Sequence, residues 1–430
     1  MANSSTAVDR KFVSDTVWNY GSFAIMAATG VILNFFITWK MGVEALGVFN
    51  QIYAIYVVTG QLAAFGIHDS AQKHVAEHAD SRDTASQIGQ TAFWLGLLFG
   101  LAAALLLFSL SGAIGNITDS TQVAQGITIV APAICLFAAN KILMGILNGA
   151  RRMKCFAVAQ SLRMIVILTV CIAVSLMDLP AYLLAAGFTA AEVILLPFVL
   201  IVTGAWRWPF GKVQAGSWFQ KHLTFGAKAL SGGFLAESYI RIDILMLAIF
   251  VSDAQVGIYS FAVMFVEGLF QVPVIIRTIS NPVLVRLLLE KDKFAIVKFV
   301  RKVAPLSLAV YIPIAVVVLL AFPTLENFYP ADLILPSRDL LVPLLAGLLI
   351  YTAFIPFDFI LLQSGLPGRQ SFLFTVNVLI NILLNLAFIP QFGIMGAAIA
   401  TAISYTLSAV TLNITVSLWL GFRKGLLLRP

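Results

Sequence analysis

The sequence predicts an all-α integral membrane protein of twelve transmembrane helices in two six-helix bundles. Two observations carry that prediction. Of the 430 residues, 60% are hydrophobic and only 11% are charged, against about 45–50% and about 25% in soluble domains. The mean hydropathy of +0.95 comes from apolar runs long enough to cross a bilayer at about 20 residues each. The second observation is where the basic residues fall between those runs.

Apolar segments lie at roughly 15–39, 46–67, 87–111, 122–147, 156–177, 180–204, 223–251, 256–280, 303–325, 338–362, 370–390 and 394–420. An even number places both termini on one side. With that side cytoplasmic, 20 of the 27 Lys and Arg residues lie in inner loops and tails. Lys40 and Arg338 lie outside, and Lys141, Arg163, Lys228, Arg241 and Arg277 lie within spans. The positive-inside rule therefore predicts cytoplasmic N- and C-termini, and the net charge of +7 reads as a topology signal rather than a nucleic-acid footprint. Trp18 and Trp39 bracket the first span, and Trp206, Trp208 and Trp218 crowd the connection after the sixth, as expected of an aromatic belt. The polar first fourteen residues show no small-residue cleavage pattern, so the first helix is expected to stay as an anchor.

The outer loops are too short to fold as domains. The inner connections at 68–86, 205–222 and 281–302 are longer, and 286–302 (RLLLEKDKFAIVKFVRK) reads as a basic amphipathic helix on the membrane surface. An internal repeat divides the chain. Gly47-Val48-Phe49 and Gly257-Ile258-Tyr259 each follow a small polar turn, and Asn148-Gly149-Ala150-Arg151 corresponds to Ser364-Gly365-Leu366-Pro367 at a similar offset. The sixth and twelfth spans both open on small residues, AAGFTAA and GAAIATA, which allow close helix contact. The expected organisation is a bundle at 1–210, a cytoplasmic linker at 211–222 and a second bundle at 223–430. Parallel repeats of this kind enclose a central site and rock about it to give alternating access.

Ionisable residues within spans are the candidate functional groups, since each costs about 2.5–3.5 kcal/mol at the centre of a lipid-facing helix. They are Lys141, Arg163, Glu192, Lys228, Glu237, Arg241, Asp243, Glu267, Arg277 and Asp358. Glu237 and Arg241 stand four apart and are expected to pair along one helix face, whereas Asp243 lies about 120° away and needs another partner. Lys141, Arg163, Lys228 and Arg277 fall at depths reachable from the cytoplasm. Read together, they predict a cavity whose cations attract an anionic headgroup, with arginine suited to bidentate phosphate binding. Arg277, Lys228 and Asp358 lie near span ends, where ion pairing or snorkelling explains them equally well. Pro132, Pro197, Pro273, Pro313 and Pro356 supply kinks.

Other motifs carry less. His74-Val75-Ala76-Glu77-His78 matches an inverted zinc-protease pattern, but it sits in a charged inner loop and reads as a solvated surface helix. Asn116-Ile117-Thr118 is a sequon that matters only in a eukaryotic secretory pathway. Cys135, Cys155 and Cys171 offer neither a disulfide framework nor a zinc site, and no phosphate-cradling glycine motif is present.

Three stretches carry a family resemblance: 46–77 (LGVFNQIYAIYVVTGQLAAFGIHDSAQKHVAE), 223–273, and 363–404 with its NVLINILLN and IPQFGIMGAA. With the Arg241-Ile242-Asp243 motif and the following VGIYS, they resemble the polysaccharide transporters of the MOP exporter superfamily, especially Wzx-type O-antigen and lipid-linked oligosaccharide flippases. The resemblance implies a V-shaped MOP/MATE-like fold with a cationic cavity. It also implies export of undecaprenyl-pyrophosphate-linked sugar units from the cytoplasmic to the periplasmic leaflet of a bacterial inner membrane, for lipopolysaccharide or related glycans. The lipid tail would pass a lateral opening between the first and eighth spans. Carried onto these residues, it assigns Arg241 and Arg163 to the headgroup, Lys141 and Lys228 to its assistance, and Glu237, Glu192, Glu267 and Asp243 to coupling or charge tuning. No cofactor is expected beyond a coupling ion, H⁺ or Na⁺, and no catalytic or metal-binding residue. Partners would be the polyprenyl-linked oligosaccharide, membrane lipids and a polysaccharide polymerase or chain-length machinery. Unlike lipid II flippases, which have two further C-terminal spans, the sequence ends after twelve. A MATE-like multidrug or cation antiporter would need acidic and aromatic residues to dominate the cavity. A membrane polysaccharide polymerase or ligase would need a sizeable outer loop.

Overall fold

The computed structural model describes residues 10–208, 217–239, 241–422, 425 and 426, and among these the side chains of 10–13, 16, 217 and 230–239 lie outside the described set. The described backbone is helical almost throughout and holds no strand. It forms α1 (Arg10–Ala64), α2 (Ile67–Glu77), α3 (Arg82–Ile117), α4 (Thr121–Gly149), α5 (Met153–Leu176), α6 (Ala186–Thr203), α7 (Ser217–Tyr239), α8 (Ile242–Phe250), α9 (Asp253–Leu289), α10 (Lys293–Ala321), α11 (Ala331–Thr352), α12 (Ile360–Gln363) and α13 (Pro367–Leu420). Nine helical stretches among the described residues are long and apolar enough to cross a membrane. Two of these, α1 and α13, are of double length and break at a glycine, at Gly42 (φ 87°, ψ 175°) and Gly393 (φ 55°, ψ −133°). A side chain at either φ would clash with its own backbone, so each break depends on glycine and each double helix supplies two of the expected spans. The remaining one, 223–251, is divided between α7 and α8. This is the multi-pass all-helical membrane architecture expected from the sequence.

The chain divides into two compact units, Met1–Met41 with Ile55–Phe234, and Gly42–Ala54 with Leu235–Pro430. The expected boundaries at 210 and 223 are therefore displaced. The beginning of α7 belongs with the first unit because His222, fully buried, bonds Ser70 of α2 at 2.8 Å and the Ile88 carbonyl of α3 at 3.2 Å. Residues 42–54 group with the second unit because a Cβ on Gly47 would lie 1.8 Å from the Asp253 carbonyl oxygen, and one on Gly257 2.0 Å from that of Val43. The two glycines that mark the sequence repeat thus pack against each other's helices, a close approach that only small residues permit.

In the first unit the arm of α1 before Gly42 runs alongside α5 in the same direction. Asp15 meets Arg151 at 3.9 Å, Ser22 meets Gln160 at 3.2 Å and Lys40 meets Asp178 at 3.2 Å. Helices α3 and α4 start on serine caps, Ser81 and Ser120, whose side chains accept from Thr84 N–H and Val123 N–H. Ile67, Ala71 and Val75 of α2 share a core with Ile88, Ala92, Ile142, Leu143, Leu195 and Val199. The 74–78 segment is consequently the end of a half-buried amphipathic helix rather than a solvated one.

In the second unit α13 folds back on itself at Gly393, so that Asn377 accepts from Thr411 at 2.7 Å across the hairpin. A core of Leu284, Val297, Val300, Phe357, Leu361, Leu412 and Val416 fills the end of the unit around the α9–α10 turn. No surface helix forms at 286–302. Helix α9 continues to Leu289, the chain turns through Lys291 (φ 56°), and α10 starts at Lys293 on the Asp292 cap. The physical reason is that Ile296, Val297, Val300 and Val303 continue the apolar face of the following span and are buried there. Pro132, Pro197, Pro273 and Pro313 lie inside helices, while Pro356 sits in the 3₁₀ turn Ile355–Phe357.

The glycine crossing gives a direct test. Gly257→Ala should destabilise the purified protein by about 1–3 kcal/mol through overpacking, read as a lower unfolding temperature in detergent. Gly268→Ala on the same helix, with nothing within 4 Å of the added Cβ, should leave that temperature unchanged.

Candidate functional site

In each unit a buried carboxylate is surrounded by polar partners, Glu192 in the first and Asp243 in the second, and the two are satisfied in different ways. In the first unit Glu192 of α6 is fully buried. Arg163 of α5 pairs with it, Nε to Oε1 at 2.8 Å and Nη2 to Oε2 at 3.3 Å. Tyr56 Oη donates to Oε1 at 2.5 Å and Asn140 Nδ2 to Oε2 at 2.7 Å. Phe137 carries two cations on its ring, the Arg163 guanidinium at 5.2 Å and the Lys141 ammonium at 5.7 Å, and Lys141 also donates to Gln61 Oε1. Burying an ion pair is costly unless the remaining lone pairs are met. Tyr56 and Asn140 meet them here.

In the second unit Asp243 sits in the first turn of α8, where the helix dipole favours a negative charge. Its Oδ1 accepts from Asn385 Nδ2 at 2.8 Å and Asn381 Nδ2 at 3.2 Å, and its Oδ2 from Thr401 Oγ1 at 2.5 Å and Tyr259 Oη at 3.0 Å. All four donors are neutral. Both arms of the α13 hairpin contribute, since Asn381 and Asn385 precede Gly393 and Thr401 follows it. A cavity of about 30 Å³ adjoins this carboxylate, lined also by Tyr259, Glu267, Asn381, Thr401 and Tyr405.

Arg241 lies just ahead of Asp243. Its guanidinium stacks over the Tyr53 ring at 4.7 Å and meets Glu267 Oε1 at 3.4 Å. Arg241 itself sits in a turn just ahead of α8, and its expected partner on one helix face is Glu237. The Glu237 side chain lies outside the described residues. A third arginine, Arg277 of α9, pairs with buried Asp358 at 2.7 Å and stacks on Phe359 at 4.6 Å. The three pairs differ in how fully the acid is enclosed: the carboxylate side chain is 0% exposed in Glu192, 7% in Asp358 and 35% in Glu267. Arg241 is therefore the span arginine of the three whose partner is most accessible to an incoming anion.

Among the four cations expected at one site, Arg163 and Lys141 share a partner and the other two have contacts of their own. Arg163 and Lys141 share Phe137, Arg241 belongs to the second unit, and Lys228 lines a recess with His74, Gln220, Lys221, Thr224 and Phe225. Sequence reasoning missed Tyr56, Asn140 and Phe137 around Glu192, and Tyr259 and Thr401 around Asp243. Nothing in spacing announces such residues, although Asn140 adjoins Lys141 and Tyr259 closes the repeat motif Gly257-Ile258-Tyr259. In the 74–78 segment His74 Nδ1 is 2.8 Å from Glu77 Oε2, and this hydrogen bond holds the Glu77 carboxyl below its usual range. Nearby on α2, burial pushes His68 down to about 3, with Lys141 adding to the shift, so its 3.4 Å approach to Asp69 joins a neutral imidazole to the acid.

Residues 71–329 match the family model described as "Polysaccharide biosynthesis protein". The chain is 23% identical over 417 residues to "Probable flippase AglR" of Haloferax volcanii, covering 93% of this chain and 82% of that protein. Among solved structures, the lipid II flippase MurJ in an inward closed conformation superposes with a TM-score of 0.78 at 16% identity, over 94% of this chain and 87% of that one. An inward-facing multidrug resistance MATE family transporter of the MOP superfamily gives 0.73 at 11% identity, over 89% and 92%. These likenesses establish the MOP-superfamily transporter fold.

The contrast between the pairs predicts a difference in stability. Arg163→Ala strands a fully buried carboxylate and should cost about 3–5 kcal/mol. Arg241→Ala, beside a partly exposed acid, should cost about 1 kcal/mol or less. Thermal unfolding of the two purified variants measures the difference, and equal losses would show that Glu192 is not held as an ion pair.

Proposed function

The chain belongs to the polysaccharide biosynthesis protein family, and on that premise we propose that it is a flippase that carries a lipid-linked oligosaccharide across its membrane by alternating access. In the bacterial setting implied by the sequence resemblance, the substrate is an undecaprenyl-pyrophosphate-linked unit moving from the cytoplasmic to the periplasmic leaflet. The protein acts as a transporter and transforms no substrate. Its termini face the cytoplasm.

The observation that carries this reading is the line from Arg241 through Glu267 to the cavity at Asp243. Arg241 offers a planar, permanently charged donor fork to a pyrophosphate, flattened on Tyr53 and released at little cost from a partly exposed acid. In the first unit, Arg163 fixes Glu192 in place. Glu267 lines the same small cavity as Asp243. That cavity has room for a single water-sized particle, and we assign it to the coupling ion, H⁺ or Na⁺. An ion bound at Asp243 lowers the negative field on Glu267, weakens its hold on Arg241 and so frees the guanidinium for the headgroup. Arrival of the ion thereby prepares the carrier for its substrate. The potential helps the export step, since outward movement of negative charge across an inside-negative membrane is downhill by about 2.3 kcal/mol per charge per 100 mV.

The test is the sidedness of lipid-linked oligosaccharide in cells lacking the protein, probed on spheroplasts with an impermeant glycan-modifying enzyme. Protected, inward-facing units should accumulate, and the intact gene should restore their exposure. Arg241→Ala should fail to restore it at normal membrane abundance. Asp243→Asn should restore transport only weakly and remove any dependence on the proton or Na⁺ gradient. Normal exposure in cells without the protein, with no second carrier present, overturns the proposal.

A further inference from the structure

We infer that the recess between α2 and α7 is a binding site for the phosphate headgroup of an anionic bilayer lipid. Its lining is His74, Gln220, Lys221, Thr224, Phe225 and Lys228, around a volume of about 420 Å³. Two ammonium groups approach its edge along aromatic faces. Lys221 Nζ lies 4.0 Å from the centre of the Trp218 ring and Lys73 Nζ 5.1 Å from that of Phe225, contacts that hold cations at partly desolvated positions. The Gln220 amide and Thr224 hydroxyl add neutral donors suited to phosphate oxygens. The neighbouring acid, Glu77, is committed to His74 at 2.8 Å and to Lys73 at 3.7 Å, which leaves the lining basic.

Helix α7, which carries most of that lining, is fixed against its neighbours. His222 is bonded through both ring nitrogens to α2 and α3, and a Cβ on Gly226 would fall 2.4 Å from the Phe65 carbonyl oxygen. Its position points to a lipid and away from a soluble anion. Trp206, 60% exposed, and Trp218 place this end of the unit at the membrane interface. The seventh span is expected to begin near residue 223, so Lys228 stands about 7 Å further along the helix axis. A basic cluster that straddles the water–hydrocarbon boundary, with Phe225 as an apolar wall, matches a phosphodiester with its glycerol backbone. Clusters of this kind attract acidic lipids of the cytoplasmic leaflet. This inference is independent of the flippase reading, since it needs no lipid-linked sugar.

The experiment is native mass spectrometry of the purified full chain released from vesicles of phosphatidylcholine and phosphatidylglycerol in equal amounts. The wild-type protein should retain phosphatidylglycerol in preference to phosphatidylcholine, and Lys221→Gln with Lys228→Gln should reduce that preference by about tenfold or more. Lys221→Arg, which keeps the charge, should retain it and controls for misfolding. Equal retention of both lipids by the wild type overturns the inference with no variant needed, as does an unchanged preference in the folded double variant. A third arm adds millimolar inorganic phosphate before release. Displacement of the retained lipid by phosphate at that concentration would assign the site to a soluble anion and overturn the lipid assignment.

Discussion

A carboxylate carried into hydrocarbon has to be met by groups from the protein itself, and much of this structure is arranged around meeting three of them. Each uses a different arrangement. Glu192 receives a guanidinium, a phenol and an amide. Asp358 receives a guanidinium that also lies on an aromatic ring. Asp243 receives four neutral donors and the start of a helix. The partners come from helices far apart in sequence, so satisfying each acid also fixes which helices are neighbours. The apolar faces supply adhesion but little choice of partner, because lipid is as apolar as they are.

These arrangements separate structural charge from charge that remains usable. An ion pair whose acid is enclosed holds its arginine, because releasing it would leave a bare carboxylate at a cost of several kcal/mol. Arg163 and Arg277 are of this kind. Arg241 is bound to an acid that already reaches solvent, so exchanging that acid for another anion costs little. Asp243 has no counter-ion among its four hydrogen-bond donors, and in the proposed function it is the group that takes up a proton or a small cation without breaking an ion pair. The proposed carriage of an oligosaccharide needs both a cation that can let go of its resident anion and an acid that can change its charge.

The fold was largely legible in the sequence because hydropathy and loop charge are long-range averages, and neither depends on a side-chain rotamer. Span positions and the unusual status of the intramembrane charges could both be read that way. The site was legible only in part. Arg163 and Glu192 were named but not recognised as partners, since they sit on different helices and nothing in their 29-residue separation announces a meeting. The expected Arg241–Glu237 pairing falls outside the described residues, whereas Arg241 meets Glu267 across a 26-residue separation that helical periodicity does not reach. The surface helix at 286–302 was misread because a charged segment was judged by composition. Its apolar residues kept the register of the next span, and that register decided where they packed. The unit boundary moved for a similar reason, because the buried His222 ties α7 to α2 and α3 more firmly than the linker composition suggested.

The hairpin at Gly393 has a consequence for biogenesis. Ribosomes deliver the chain from its N-terminus, so Asp243 enters the membrane well before the residues that will hold it. Thr401, its partner at 2.5 Å, lies 158 residues later in the chain, and Asn381 and Asn385 on the other arm also arrive late. Until α13 has emerged and folded back, the carboxylate has Tyr259 as the first of its described partners to arrive. The insertion machinery must shelter a half-satisfied acid through the synthesis of several further spans. The last two crossings therefore complete the hydrogen bonding of this carboxylate, and a chain that stops short of Thr401 carries an acid whose partners are incomplete.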